Sequence, residues 1–437
     1  MMNKKRYVRM LTGLTALLLG LCGCAVPPET ISAPSGVQAP VAPANVPEKP
    51  DAAADAGGAP VTLNLADFGA AGNGQADDTA ALRNAVSAVL EAGGGTVYLP
   101  AGTYRLTDTL MLTGDDSALL TLRADPTGQT VLVADASVNG PAVWIERSGV
   151  TLFGLDIILG TTEDQPAVLV TGSHVTLDSV TARMTAGNTQ PGFLVYGSYD
   201  TLRNCGVGYV SDTQYMVVFS KMPGLDAVGN VLEDCHFGGM AGKCVLVTSE
   251  DDNGVPEQLT IRRNVFLVVG CDQVEVRAAR NLYITDNMLD AAGVCVLLDP
   301  LPAGVRGVQI TDNYCGASTG GARTGGVRTE SAYGGTLENV IVSANYFWCP
   351  NAVRVVLPEY TGFSLTDNYF VLTGGDAVYM AAAVGAYMEG NVVANIGGQC
   401  PLRLEAVDEM TVIQDNAWGN GIEVPEWRTR FAAQNSM

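Results

Sequence analysis

The chain has 437 residues, 47% of them hydrophobic and only 16% charged, with 51 glycines and a formal charge of −21. So apolar a composition excludes disorder throughout, because burial can offset the entropy of ordering. So acidic a balance excludes sequence-independent nucleic-acid binding, which needs a net basic face.

Residues 1–24 join a basic start, Asn3-Lys4-Lys5-Arg6 with Arg9, to an apolar run from Leu11 to Leu21 and the ending Leu21-Cys22-Gly23-Cys24. This is the layout of a secretory signal, and Leu-x-Gly-Cys resembles a bacterial lipobox, which implies cleavage before Cys24 and lipid attachment to its thiol. Loss of the four basic residues takes the charge to about −25. Residues 25–60 are rich in Ala and Pro and cannot bury a core, so they read as a disordered tether. The expected location is extracytoplasmic, with the folded body lipid-anchored to a bacterial membrane.

Residues 61–106 read as a cap. Asp77 or Asp78 supplies the carboxylate that caps a helix from Thr79 to Ala92, whose Val86, Val89 and Leu90 form one apolar face. After it come Gly93-Gly94-Gly95-Thr96-Val97-Tyr98-Leu99-Pro100 and Gly102-Thr103-Tyr104.

From residue 107 to about 420 one phrase recurs, an apolar residue three places before an asparagine: Asn264, Asn287, Asn313, Asn345, Asn368, Asn391 and Asn416, at intervals of 23, 26, 32, 23, 23 and 25. Cys235 and Cys205 continue the frame upstream, and Val180 and Leu155 extend it more weakly, giving about eleven units. Each unit holds a second short strand with alternating apolar positions, and no helix pattern separates the strands. That argues for a parallel β-solenoid rather than βαβ units. The asparagines are expected to sit in left-handed backbone at the bend between strands and to bond to one another from coil to coil. Pro425-Glu426-Trp427-Arg428-Thr429-Arg430-Phe431, within 421–437, is expected to close the far end.

The segment Asp67-Phe68-Gly69-Ala70-Ala71-Gly72-Asn73-Gly74-Gln75-Ala76-Asp77-Asp78-Thr79, with the glycine-rich stretch after the helix, closely resembles the opening of the pectate lyase superfamily domain of rhamnogalacturonase-like and polygalacturonase-like proteins and phage tailspikes. Asn73 stands where many relatives carry Asp. The resemblance implies an all-β fold, a single-stranded right-handed parallel β-helix of about eleven coils with an N-terminal capping helix.

The reaction is not given by the resemblance. The Asn-Thr-Asp, Asp-Asp, Gly-His-Gly and Arg-Ile-Lys elements of polygalacturonases are absent, and the only histidines, His174 and His236, stand in no Gly-rich setting and read as turn or stacking residues. Strand alternation instead gives two outward columns. One runs Trp144, Leu169, Leu194, Val217, Leu246, Glu275, Leu297, Arg328, Arg354, Tyr379, Arg403. The other runs Glu146, Thr171, Tyr196, Phe219, Thr248, Arg277, Asp299, Glu330, Val356, Ala381, Glu405. Asp299 and Glu330 fall on adjacent coils, where like charges raise one pKa as a general acid requires. Glu275 lies two coils from Glu330, about 9.6 Å by strand spacing, near the upper end for an inverting carboxylate pair. These three are the acid/base candidates. Arg277, Arg328, Arg354 and Arg403, with Tyr379 and Glu405, are the substrate-binding candidates, since guanidinium matches a uronate carboxylate. In lyases of the resembled fold an arginine acts as base, which would fall to Arg328 or Arg354.

The expected activity is that of a polysaccharide hydrolase or lyase acting on acidic, pectin-like glycan. The alternative is a non-catalytic surface module for glycan binding or adhesion, with the charged columns a solvated ladder. No cofactor is expected; the acidic loop Glu250-Asp251-Asp252-Asn253-Gly254 is the sole candidate for Ca²⁺. Polysaccharide and, through the lipid, membrane are the expected partners, and nothing fixes the oligomeric state. The cysteines left after lipidation are read as buried thiols at least as readily as disulfides.

Overall fold

A computed structural model describes residues 60–161, 164–185, 187–208, 215–239, 243–268, 271–290, 293–317, 323–357, 360–372, 374–395, 400–418 and 422–423. The signal and lipobox with Cys24, the tether up to residue 59 and the closing segment Pro425–Phe431 lie outside them. The strands wind as a parallel β-solenoid of about twelve turns, against about eleven in the asparagine frame, and the strands Val61–Asn64, Gly95–Leu99 and Leu120–Ala124 precede that frame. Among the described residues every strand pair is parallel, and the strands form three faces. The first is a fourteen-stranded sheet from Val61–Asn64 to Val412–Gln414. The second has thirteen strands, from Leu110–Leu112 to Ile422–Glu423. The third is split into six strands ending at Gly206–Val207 and seven beginning at His236–Gly239.

Helix α1, Thr79–Glu91, covers the first coils with Leu82, Ala85, Val86 and Val89 buried. Asp77 Oδ1 accepts from the Thr79 N–H at 3.0 Å, so Asp77 caps the helix. The Asp78 carboxylate turns back to accept from Ala71 and Gly72 N–H. Three donors hold the Asp77 carboxyl down at about 2, chiefly the Thr79 and Thr107 hydroxyls. Asp77 thus takes the capping role, while Asp78 makes no side-chain bond to the helix.

The asparagine ladder forms. Each Asn Nδ2 donates to the Oδ1 of the next asparagine and to a strand carbonyl of the preceding coil, and each Asn N–H donates to that same Oδ1, in one run from Asn264 to Asn416. Upstream, Cys235 N–H donates to Asn264 Oδ1 and Cys205 N–H to Cys235 Sγ. The left-handed residue, however, is the one before each asparagine: Arg263, Asp286, Asp312, Ala344, Asp367, Gly390 and Asp415 have φ between 53° and 67°. The preceding residue turns the chain, and that turn points the amide inward. Cys205, Cys235, Cys244, Cys295, Cys315 and Cys349 are buried free thiols.

The inward row of the second face, Val274, Val276, Val296, Leu298, Val327, Thr329, Val353, Val355, Val378, Met380, Leu402 and Leu404, is at most 5% exposed. Each such apolar side chain contributes about 1.5–3 kcal/mol by burial, so the interior carries stability and the outward columns are free for other work.

Candidate functional site

The outward column is in register as the alternation predicts: Glu275 pairs with Leu297, Leu297 with Arg328, Arg328 with Arg354, Arg354 with Tyr379, and Tyr379 with Arg403. One coil departs. Val217 pairs with Phe193 and Phe219 with Val195, both inside, so Val218 and Ser220 take the outward places. The strand Tyr215–Lys221 is apolar through its first five residues, and a run without alternation has no phase to read.

The lower half of the charged face is one connected network. Glu275 is 2% exposed. It accepts from Lys243 Nζ at 2.6 Å, Arg277 Nε at 2.7 Å and the Tyr215 hydroxyl at 2.8 Å. Arg277 also donates to the Tyr215 oxygen at 2.9 Å and lies 5.0 Å from the Tyr333 ring centroid. Burial pushes the Glu275 carboxyl up, but Lys243 and Arg277 prevail and hold it below the ordinary range. Glu275 is therefore held toward its ionised form, where it orients two cations.

Glu330 is likewise paired, with Arg328 Nε and Arg323 Nε each at 3.0 Å. Arg323 reaches across to Asp272 at 3.1 Å, and Lys243 approaches the same carboxylate at 3.8 Å. Asp299 differs. It is 4% exposed and accepts one bond, from the Ala332 N–H at 2.8 Å. Burial pushes its pKa up, Glu330 and Glu275 push the same way, and the Ala332 bond and Arg277 oppose them. The Asp299 pKa thus moves in the opposite direction to that of Glu275. Burial likewise raises Asp272, beyond what Arg323 and Lys243 restore.

The upper half is a separate group. The Arg354 guanidinium stacks 4.1 Å from the Tyr379 ring centroid, the Tyr379 hydroxyl donates to Glu405 at 2.6 Å, and Arg403 sits 3.5 Å from Asp376. Thus Glu275, Arg277, Arg328 and Glu330 join one network beside Asp299, while Arg354, Tyr379, Arg403 and Glu405 form a second group on the same face. Tyr215, Lys243, Asp272, Arg323 and Tyr333 were not singled out from the sequence. Lys243 and Asp272 each stand two residues before an inward valine, Val245 and Val274, and that shared offset was the available signal.

The acidic loop has other engagements. Glu250 accepts from the Tyr196 hydroxyl at 2.5 Å, and Asp251 faces Lys221 at 3.5 Å. Among the described residues no three His, Cys, Asp or Glu side chains converge as a metal would require.

Residues 62–268 match the family described as rhamnogalacturonase A/epimerase, pectate lyase-like. A mannuronan C5-epimerase of Azotobacter vinelandii (AlgE1) is 46% identical over 77 residues, which are 17% of this chain and 5% of that relative, so the likeness spans a small part of its length. The surface adhesin PfbA of Streptococcus pneumoniae superposes with a TM-score of 0.50 at 14% identity over 81% of this chain and 93% of its own. The tailspike of E. coli bacteriophage HK620, solved with a pentasaccharide, gives a TM-score of 0.54 at 11% identity over 80% of each chain. These two share the fold. Residues 62–268 are thus similar to the rhamnogalacturonase A/epimerase, pectate lyase-like family, and they lie within a parallel β-helix.

Proposed function

We propose that the second face binds an acidic polysaccharide and that Asp299 is the acid that protonates a glycosidic oxygen as the chain is cut. The observation that carries this is the contrast within one network. Glu275 and Glu330 are paired with cations, while the neighbouring Asp299, buried and short of donors, has its pKa pushed upward. Hydrolysis and β-elimination both need a proton on the departing oxygen, and Arg277, Arg323 and Arg328 give the uronate carboxylates their counter-charge. The family match and the relatives named as acting on mannuronan support uronate chemistry. Secretion through residues 1–24 and a lipid on Cys24 would set this face outside the cell, within reach of such a polymer.

One observation favours glycan binding without catalysis. Two of the three carboxyls are neutralised by ion pairs, whereas a hydrolase needs a second free carboxylate. The purified full chain is to be incubated with polygalacturonate and alginate, following reducing ends and the absorbance of unsaturated products. New product that disappears in Asp299→Asn while polymer binding persists is the expected result. Binding with neither signal would leave the adhesion module and remove the enzyme.

A further inference from the structure

A second feature lies away from the charged network, at the bend that joins the second face to the first. Two residues before the equivalent strand position in ten successive coils, the backbone is left-handed: Gly149, His174, Tyr199, Gly229, Gln258, Asn281, Gly307, Asn339, Gly362 and Gly385. Five of these are glycine, and Asn and Gln bring short or flexible polar side chains. His174 (φ 57°) and Tyr199 (φ 59°) instead put bulky rings where L-residues are strained. Nothing in the fold asks for them, because glycine serves the same bend elsewhere. Strain of this kind, held by surrounding structure, collects at functional sites.

The two rings stack, with centroids 5.2 Å apart and planes 9° from parallel, and Tyr199 is 54% exposed. They line a cleft of about 330 Å³ together with Ser173, Asp226 and the edge of the loop through Leu225. The His174 ring nitrogens, the Tyr199 hydroxyl and the Asp226 carboxylate make no hydrogen bond among the described residues, and neither arginine nor lysine lines the cleft. The Ser173 hydroxyl accepts from the Ser198 N–H, which leaves its proton to give. The register from Val170 through Val195, Phe219 and Val247 to Val276 crosses four coils. The cleft therefore stands about 19 Å along the solenoid from Arg277.

We propose that this cleft is a binding site for a neutral hexose or N-acetylhexosamine residue. An exposed aromatic platform, a carboxylate that accepts paired hydroxyls and a hydroxyl donor are what an uncharged pyranose ring needs, with its apolar face on one side and its hydroxyls on the other. The lone Asp226 carboxylate, with no cation to offset it, turns uronates away, so the cleft and the arginine-rich network select opposite classes of sugar. This site is independent of any catalysis at Asp299.

The test uses the full chain, fluorescently labelled, on an array of neutral and uronate oligosaccharides, beside Tyr199→Gly, Asp226→Ala and Arg277→Ala. Neutral-glycan signal should fall at least tenfold in Tyr199→Gly and in Asp226→Ala and stand unchanged in Arg277→Ala. Because glycine suits the left-handed bend, Tyr199→Gly should melt at or above the parent temperature, which separates loss of the platform from unfolding. Asp226→Ala, on an exposed loop, probes the same site while leaving the bend untouched. Absence of any neutral-glycan signal, or its survival in either variant, overturns the proposal.

Discussion

Asp200 offers the sharpest test of the way these coils are held together. Its residue is fully buried, its Oδ1 accepts from the Val175 N–H at 2.8 Å, and its N–H donates to Asn230 Oδ1 at 2.8 Å. One coil on, Asn230 uses its Nδ2 to donate to the Gly197 carbonyl at 2.9 Å. The matching atom of Asp200 is Oδ2, which has no partner. The corresponding carbonyl is that of Gly172: a Cβ on Gly197 would strike it, and would lie 2.5 Å from Asp200 Oδ2. A proton on Oδ2 would let Asp200 donate as Asn230 does. Burial accordingly lifts its pKa from an ordinary 3.8 to about 8, against the single Val175 bond that lowers it.

The folded chain keeps a proton that the unfolded chain releases near 3.8, so this contribution to stability is whole below about pH 4 and drains away as pH rises to about 8. At about 1.4 kcal/mol per pH unit the loss is about 4 kcal/mol by pH 7. Asp200→Asn supplies the donor permanently. Its melting temperature at pH 7–8 should exceed the parent's by on the order of 5 °C, and the gap should close toward pH 4. Scanning calorimetry between pH 4 and pH 8.5 is the assay. A parent curve that does not fall relative to the variant across this range, or an Asn variant that melts lower, would refute this account of Asp200.

Three further outcomes are expected. Asn313→Ala removes the amide that donates to Ile284 and Asn345 and accepts from Asn287, leaving buried partners unpaired. It should cost about 3–5 kcal/mol in denaturant unfolding, and a loss under 1 kcal/mol would show the ladder to be ornamental. Asp299→Asn should lower polymer cleavage about 100-fold or more without weakening binding. The parent's rate should decline as pH rises through the elevated Asp299 pKa, and a rate flat on the alkaline side would exclude Asp299 as the acid. The depressed Glu275 pKa stabilises the fold above the ordinary glutamate value and loses that effect as pH falls through the folded value. Glu275→Gln should therefore be less stable than the parent at pH 7 and converge with it as pH falls through the folded Glu275 value in thermal melts.

The fold was legible because its two strongest signals are local. An amide that must meet another amide one coil away recurs at the coil length, and an apolar residue facing a narrow interior recurs every second position. Those two facts placed Glu275, Leu297, Arg328, Arg354, Tyr379 and Arg403 in the column the pairing shows. Tyr215 was lost in a run with no polar residue to set its phase. Asp272 and Arg323 were lost because they stand at strand ends, where the chain leaves the pleat and alternation ceases to say which way a side chain points. The chemical state of Glu275 was lost for a related reason, since it depends on Lys243 from the neighbouring coil and Tyr215 from two coils away.

Scarce charge acquires a meaning from this arrangement. Each cation of the lower network is already satisfied: Lys243 and Arg277 by Glu275, Arg323 by Asp272 and Glu330, Arg328 by Glu330. A uronate chain can gain a guanidinium only by displacing a protein carboxylate, so the net effect of binding is an exchange of partners. The exchange is easiest at Arg323, whose side chain is 52% exposed, and hardest at Arg277, at 20% beside a buried glutamate. Freed of Arg323, Glu330 and Asp272 would bear more uncompensated negative charge beside Asp299, and that charge raises the Asp299 pKa further. In the proposed reaction, binding of the polyanion and protonation of the acid would then be one coupled event. On this reasoning Arg323→Ala should weaken polymer binding and, in the free protein, move the alkaline limit of activity upward. An Arg323→Ala profile with its alkaline limit unmoved would break the link between the two.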